Sequence, residues 1–228
     1  MNHKHRLYLL WKKISSVHTL QCLTIFLLYC TAISFFLMGA NLCLGNEIVQ
    51  HKLQKGIAKQ VIRLHVVANS DSEYDQKLKL RVRDQIITGL QKDLQSAGSV
   101  KEAKKILSQK LSQIEKTAGH TLRSAGSHQK VQVSLKNRAF PVKRYGDLTF
   151  PKGTYQALCV EIGQAQGHNW WCVLFPSLCF VDETTAIVPE ESKEKLKHSL
   201  TREEYDELTK EIEPHSLLFD KLFTGSQN

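Results

Sequence analysis

VIRLHVVANSDSEYDQKLKLRVRD, at residues 61–84, joins a β-branched run to a charged amphipathic one. The run of valine and isoleucine that ends before Asn69 has the composition of a buried strand. Ser72 stands three residues before Asp75, a spacing that caps a helix and places an acid near its positive end. The stretch therefore predicts a strand followed by an amphipathic helix. Its buried stripe consists of apolar residues that recur every four positions, at Leu78, Val82, Ile86, Leu90 and Leu94.

A second helix and further strands are predicted downstream. Ser99 and Glu102 have the capping-box spacing, and apolar residues follow at helical intervals until Gly119, which is expected to stop the helix. Together with the first strand and helix, these elements predict an α+β domain, with a mostly antiparallel or mixed sheet of about five or six strands packed against two amphipathic helices. The downstream strands are an alternating one at residues 131–135, a hairpin over 140–150, and two more at 155–162 and 170–175, the last apolar on both faces like a central strand.

The two ends of the chain differ in composition from this domain. Residues 1–13 are basic and carry no acid, and residues 14–46 carry no Asp, Glu, Lys or Arg. This pattern predicts a signal peptide or membrane anchor over residues 1–45, with membrane association through residues 14–44, and an exported domain over residues 46–188. From Pro189 onward acids outnumber bases, which predicts an acidic helical tail over residues 189–228.

The net charge of +9 does not by itself indicate a nucleic-acid partner. Part of the charge belongs to the basic N-terminus, and neither export nor the absence of a stacking motif fits nucleic-acid binding. The basic residues of the first helix, Lys77, Lys79, Arg81 and Arg83, are expected on a solvated face or against anionic lipid heads. The sequence has no GxGxxG, Walker, HExxH or GxSxG motif, and no cofactor or metal is expected.

Three cysteines lie beyond the N-terminal segment, in a disulfide-permissive space if the domain is exported. Cys172 and Cys179 flank Pro176, so a turn could bring them together, whereas Cys159 has no obvious partner. An alternative function is an extracytoplasmic thiol hydrolase that uses Cys172 with His168. The short spacing argues against it, because catalytic cysteine and histidine usually come from distant parts of a sequence.

Two polar segments are candidate binding sites. One is the junction of the first strand and helix, where free backbone N–H groups could hold a ligand, although Asn, Ser and Asp there also terminate strands and cap helices. The other is the glycine-bounded loop at residues 163–169, which leads into Trp170 and Trp171. The sequence leaves two alternatives for the location of these tryptophans: one of them lies at an interface, or both lie in the core.

Residues 61–84 and the segment GHNWWCVLFPSLCF at residues 167–180 resemble the two signature segments of the stage II sporulation protein R family. The similarity extends over roughly residues 40–183, which is too long for chance. Members of that family are exported from the forespore into the space between forespore and mother cell. There they activate a membrane-embedded aspartic protease of the mother cell, which processes the sigma-E precursor.

The resemblance therefore implies a sporulation signalling protein that is not an enzyme and whose partner is that receptor protease. Ser177 departs from the family pattern, which more often has a second proline there, and Cys159 replaces another residue type. The positions that match the two segments, and that are expected to form the partner-binding surface, are Arg63, His65, Asn69, Ser70, Asp71, Asp75, His168, Asn169, Trp170 and Trp171.

Overall fold

The computed structural model describes residues 3–179 and 188–210, and divides the chain into two compact units at residues 1–51 and 52–228. Helix α1 (His3–Gln60) supplies the first unit and the start of the second. Large apolar side chains in the first unit, including Phe26, Phe35 and Phe36, are exposed. Within the described part of the chain, no helix combines the length and apolar character that crossing a membrane requires.

The second unit is built around a four-stranded sheet in the order β2-β5-β1-β6, with β3 and β4 forming a separate pair. Strand β1 is parallel to β5 and antiparallel to β6, and β2 is antiparallel to β5. The predicted α+β fold with a mixed sheet is confirmed, with the strands divided between two sheets. The elements are β1 (Ile62–Val67), α2 (Glu73–Ser96), α3 (Val100–Ser124), β2 (Val131–Phe140), β3 (Lys143–Tyr145), β4 (Leu148–Phe150), β5 (Gly153–Ile162), β6 (Asn169–Phe175), α4 (Glu190–Ser199) and α5 (Arg202–Thr209).

Helices α2 and α3 cover one face of the main sheet. Each begins at a capping serine, because the side chains of Ser72 and Ser99 accept hydrogen bonds from the backbone N–H three residues later. All five residues of the predicted apolar stripe of α2 are buried, and they pack against sheet residues such as Leu64 and Leu158. Burial of this stripe in a common core is what holds the two helices on the sheet.

The prediction that α3 stops at Gly119 is wrong, because the helix continues to Ser124. Leu122, in the additional turn, is completely buried in the core beneath the helices. Burial of this side chain outweighs the roughly 1 kcal/mol that glycine costs inside a helix. The stop lies at Gly126, whose φ of 79° suits the left-handed conformation that ends a helix.

A second core lies on the opposite face of the sheet. It combines aromatic side chains such as Phe150 and Tyr155 with Ile57 from the end of α1 and with Leu196 and Leu208 from α4 and α5. The helical start of the predicted acidic tail therefore packs on the sheet, whereas residues 211–228 lie outside the described residues. Both faces of the main sheet are covered, although not along their whole length.

Among the strands that the structure describes, β6 lies at an edge of the sheet and not at its centre, contrary to the expectation of a central strand. Its side chains are nevertheless buried on both faces, with Cys172 and Leu174 in the helix-covered core and Val173 in the opposite one. Apolar residues on both faces of a strand indicate that both faces are covered by other elements. They do not distinguish a central strand from an edge strand, because an edge strand that is covered on both faces has the same composition. The hairpin predicted over residues 140–150 corresponds to β3 and β4, joined through Gly146 at a φ of 59°.

Candidate functional site

Asp75 organises the junction between β1 and α2. Its buried carboxylate accepts hydrogen bonds from Asn69 Nδ2 at 2.8 Å, Ser70 Oγ at 2.6 Å and Gln129 Nε2 at 2.7 Å. These donors, Ser70 first, hold the pKa of Asp75 below its usual value despite burial. The hydrogen-bonding capacity of the carboxylate is therefore used by neighbouring side chains. These hydrogen bonds fix the conformation of the junction.

The loop between β5 and β6 lies directly on this junction. The backbone N–H of Gln164 donates to Asn69 Oδ1 at 2.9 Å, and that of Gly167 donates to the carbonyl of Ala68 at 3.0 Å. Gly167 is required by the close approach, since a Cβ there would stand 2.2 Å from the carbonyl oxygen of Ser70. The two segments singled out in the sequence thus form one continuous surface, which we call the junction surface: residues 69–75 and 163–171.

Asp71 and His168 form an exposed pair at the centre of the junction surface. One Asp71 carboxylate oxygen accepts from the backbone N–H of His168 at 2.6 Å and lies 2.5 Å from His168 Nδ1. Those hydrogen bonds lower the pKa of Asp71, so the carboxylate is charged at neutral pH. A charged acceptor and a ring nitrogen presented to solvent offer a partner directional polar contacts.

Trp171 lies on the face of the sheet opposite to the helices, where it stacks on His65. Its ring is nearly parallel to the imidazole of His65, at 6° and 5.9 Å between centroids, and Lys143 Nζ lies 4.7 Å from the ring centre. His65 Nε2 is 2.7 Å from Asn169 Oδ1, while its Nδ1 is buried without a hydrogen-bond partner among the described residues. Burial lowers the pKa of His65 and favours the neutral ring.

The two adjacent tryptophans point to opposite faces of β6, as strand alternation requires. Arg83 of α2 lies 4.0 Å from the centre of the Trp170 ring on the helix-covered side. Both rings are half-buried, so each packs on the domain and each keeps an exposed portion. The burial of the two tryptophans is therefore intermediate between the two alternatives, one tryptophan at an interface or both in the core. A cationic side chain lies over one face of each ring.

Arg63 lies in the core and not on the surface that the resemblance implied. Its side chain is completely buried, and its guanidinium carbon lies 4.2 Å from the centre of the Phe140 ring and 4.9 Å from that of Tyr155. Arg63 Nη2 donates to Tyr145 Oη at 2.8 Å, and that hydroxyl donates to the carbonyl of Trp171 at 3.1 Å. Arg63 is therefore a positioning residue that reaches the junction surface through Tyr145.

Several residues of the site were not identified from the sequence. Lys79, expected on a solvated face, is buried, and its Nζ donates to the carbonyl of His168 at 3.0 Å. Burial lowers the pKa of this amine. Tyr145, Lys143 and Gln129 come from other parts of the chain, and only the folded chain brings them to the site. Of these residues, only Lys79 could have been recognised from the sequence, because it follows the buried Leu78 at the margin of the apolar stripe of α2.

The three cysteines beyond the N-terminal segment do not form a thiol site. Cys172 and Cys179 are joined by a disulfide with their Cα atoms 5.3 Å apart, and Cys159 is free and completely buried. Burial raises the pKa of the Cys159 thiol, which disfavours the reactive thiolate. A disulfide-bonded Cys172 is unavailable as the nucleophile of a Cys172 and His168 pair. Among the described residues, no cluster of His, Cys, Asp and Glu is suited to hold a metal ion.

Comparison with known proteins agrees with the resemblance of the two segments. Residues 58–185 match the family model for stage II sporulation protein R. The stage II sporulation protein R of Bacillus subtilis strain 168 is 36% identical over 173 residues, which cover 74% of this chain and 77% of that protein. No solved structure matches the chain. The matched region contains the whole junction surface and both of its segments.

Proposed function

The chain belongs to the stage II sporulation protein R family, and we propose that it is an exported sporulation signal that activates a membrane-embedded aspartic protease of the mother cell. The activated protease then processes the sigma-E precursor. The protein acts in this proposal as a ligand and not as an enzyme, in the space between forespore and mother cell. Residues 14–44 direct its export or hold it at a membrane.

The observation that carries this proposal is the joining of the two resembling segments into the junction surface. The segments are distant in sequence, yet Asp71 meets His168 and Asn69 meets Gln164 through hydrogen bonds. A ligand needs one surface of fixed shape for its receptor, and these bonds order the surface before docking. Preordering supports affinity because less conformational entropy is lost on association.

The composition of the junction surface also favours protein recognition. Trp170 and Trp171 are half-buried aromatic residues supported by packing, which is the type of residue that supplies most binding energy in interfaces. The exposed Asp71 and His168 pair supplies polar contacts that set specificity and orientation. No feature of the described residues favours the alternative thiol hydrolase, for which Cys172 would have to be a free thiol.

The proposal is tested by co-expressing the full chain with the receptor protease and the sigma-E precursor, and by following removal of the precursor's pro-sequence. Wild-type protein is expected to give processing. His168→Ala and Trp171→Ala are expected to lower its rate about tenfold or more, because each removes a contact at the centre of the surface. His120→Ala is the matched control, since His120 is an exposed histidine on α3 outside the junction surface.

Two results would contradict this function. Absence of processing with correctly exported wild-type protein would refute protease activation. Full processing with both folded variants would refute the junction surface as the docking site. Thermal unfolding of each purified variant distinguishes lost docking from lost folding, and mass measurement without reductant checks that the Cys172 and Cys179 disulfide is present.

A further inference from the structure

Strand β2 forms the second edge of the main sheet. It spans Val131–Phe140 and pairs only with β5 among the strands that the structure describes. The N–H of Gly163 donates to the carbonyl of Lys130, which fixes the phase of this antiparallel ladder. The backbone groups of every second residue therefore point away from the sheet. These are Val131, Val133, Leu135, Asn137 and Ala139.

The two edges of the sheet differ in the hydrogen bonding of their outward backbone groups. At β6, the outward carbonyl of Trp171 accepts from Tyr145 Oη, and that of Val173 accepts from the N–H of Leu178. At β2, the outward backbone groups have no hydrogen-bond partner among the described residues. Edge strands with a free row of donors and acceptors are templates for an added strand.

A groove opens between helix α3 and the start of this free edge, where Lys130, Val131 and Gln132 line it. Its volume is about 1020 Å³, and α3 contributes Lys116, Gly119 and Arg123 to its wall. Gly119 places no side chain in the groove, and Arg123 Nη1 lies 3.2 Å from the position that a Cβ of Gly119 would take. We use the term edge groove for this groove together with the outer edge of β2 that continues from it. A strand edge beside a helix is the geometry in which extended peptides bind by strand addition.

The charge of the edge groove selects its occupant. Lys116, Arg123 and Lys130 line it, and none of the three has a carboxylate within 4.0 Å among the described residues. Arg138 also lines the groove but is paired with Glu161 at 3.0 Å, and Glu115 lines it as well, so that four cations face two carboxylates. An acidic segment would neutralise the unpaired cations. A second copy of this chain would instead bring like charges together, which opposes pairing of β2 with β2.

We propose that the edge groove binds an extended acidic peptide segment, which adds to β2 as a further strand of the sheet. Main-chain hydrogen bonds to the outward groups of β2 supply the pairing, and Lys116, Arg123 and Lys130 bind its carboxylates. In the cell the segment belongs to the receptor, an assignment that rests on the proposed function. The edge groove meets the junction surface at Gly163 and Gln164, so one partner reaches both.

The first test uses the full chain and a capped peptide of about eight residues that alternates valine and glutamate, long enough to cover most of β2. Hydrogen exchange is followed by mass spectrometry with residue resolution. The peptide is expected to slow exchange about tenfold or more at the outward amides of β2 and to leave the inward amides unchanged. The lysine counterpart of the peptide is expected to have no effect.

Two outcomes of this test would overturn the proposal. One is unchanged exchange at the outward amides in the presence of saturating glutamate peptide. The other is equal binding of a glutamate peptide interrupted by proline, since that would show attraction of charge without strand addition. Outward amides already protected in the free chain, with dimers in sedimentation, would show a second copy in the groove and would also overturn it. None of these results depends on the receptor protease, so the proposed function and this inference fail separately.

The second test uses matched substitutions at the exposed residue Asn137. Asn137→Pro removes an outward N–H and leaves the ladder with β5 intact, because proline is tolerated at the solvent side of edge strands. It is expected to weaken binding of the glutamate peptide about tenfold, whereas Asn137→Ala, which keeps the N–H, changes it less than about twofold. Equal binding by the folded proline variant would refute strand addition.

A third comparison keeps the inference testable if the proline variant does not fold. The double substitution Lys116→Glu and Arg123→Glu is expected to abolish measurable binding of the glutamate peptide. Lys104→Glu, on the same helix but outside the groove, makes half of this charge change at an exposed site and is expected to leave binding nearly unchanged. Unaltered binding by the double variant would show that the cations of the groove do not select the occupant.

Discussion

His65 illustrates how one residue links the core to the junction surface. It comes from the central strand β1, is 5% exposed, and stacks on the half-buried Trp171. Burial lowers the pKa of His65, while the hydrogen bond with Asn169 and the charge of Glu161 act in the opposite direction. Arg138 and Lys136 add to the lowering. The neutral ring is therefore part of the folded structure at neutral pH.

This environment predicts a pH dependence of stability. The pKa of His65 is lower in the folded than in the unfolded chain, where it is about 6.5. Above that pH the neutral ring makes its full contribution to the free energy of unfolding. This contribution is lost as the pH falls toward the folded-state pKa, and the total loss is about 1.4 kcal/mol for each unit by which folding lowers the pKa. In His65→Gln this part of the dependence should be absent from denaturant unfolding measured between about pH 7 and pH 5.

The control for this prediction is His120→Gln, which replaces an exposed histidine and should retain the wild-type pH profile. Identical profiles for His65→Gln and the wild type would contradict the buried, neutral state of His65.

Arg63 is a second buried residue that is linked to the junction surface. Its guanidinium donates to the Tyr145 hydroxyl, which in turn donates to the carbonyl of Trp171. Both residues, His65 and Arg63, thus support the junction surface from beneath it.

Among the elements, the contact of the β5–β6 loop with the β1–α2 junction decides the geometry of the site. The loop approaches so closely that Gly167 has backbone atoms of Ser70 where a side chain would begin. Helix α2 anchors the same contact through Lys79, whose amine donates to the carbonyl of His168. Three elements are therefore locked at one point by backbone contact and not by side-chain packing alone.

Substitution of Gly167 tests this contact directly. Gly167→Ala is expected to lower the free energy of unfolding by about 2 kcal/mol or more, because either the loop or the junction must move away. Gly89→Ala, at a helical glycine of α2 with no atom within 4 Å of the new Cβ, is expected to raise it by about 0.5–1 kcal/mol. Denaturant unfolding monitored by circular dichroism measures both, and a Gly167→Ala protein as stable as wild type would contradict the close approach.

Across the molecule, the main sheet carries a core on each face. The second core includes residues from both ends of the unit 52–228, namely Ile57 near its start and Leu196 and Leu208 near its end. A boundary drawn from composition at the start of the acidic helices would therefore divide one hydrophobic core. The acidic character of α4 and α5 resides on their exposed faces, as in other amphipathic helices.

Truncation distinguishes the two units. A chain that begins at Lys52 is expected to unfold in one cooperative transition, because residues 52–228 contain both cores. Ile57→Ala in that shortened chain is expected to cost about 3 kcal/mol, as for other completely buried isoleucine side chains. Chemical denaturation with two probes measures both effects. An Ile57→Ala variant that matches its parent would contradict the packing of the end of α1 on the sheet.

The local elements of this protein, and the family to which it belongs, can be predicted from the amino-acid sequence without coordinates. The capping serines, the apolar stripe of α2 and the α+β class follow from short-range periodicity, and the two signature segments follow from residue order. These features depend on neighbours within a few residues along the chain. For the same reason, periodicity failed at Gly119, where a buried Leu122 prolongs α3 beyond its local stop signal.

Which distant residues meet is known only from the folded chain. Its packing placed β6 at an edge, buried Arg63 and Lys79, joined Asp71 to His168, and left the outer edge of β2 unpaired among the described strands. Strand order and sheet register depend on contacts between segments far apart in sequence, for which composition carries almost no signal. Burial and pairing are properties of the packed chain, whereas a sequence pattern records only the preferences of its own segment.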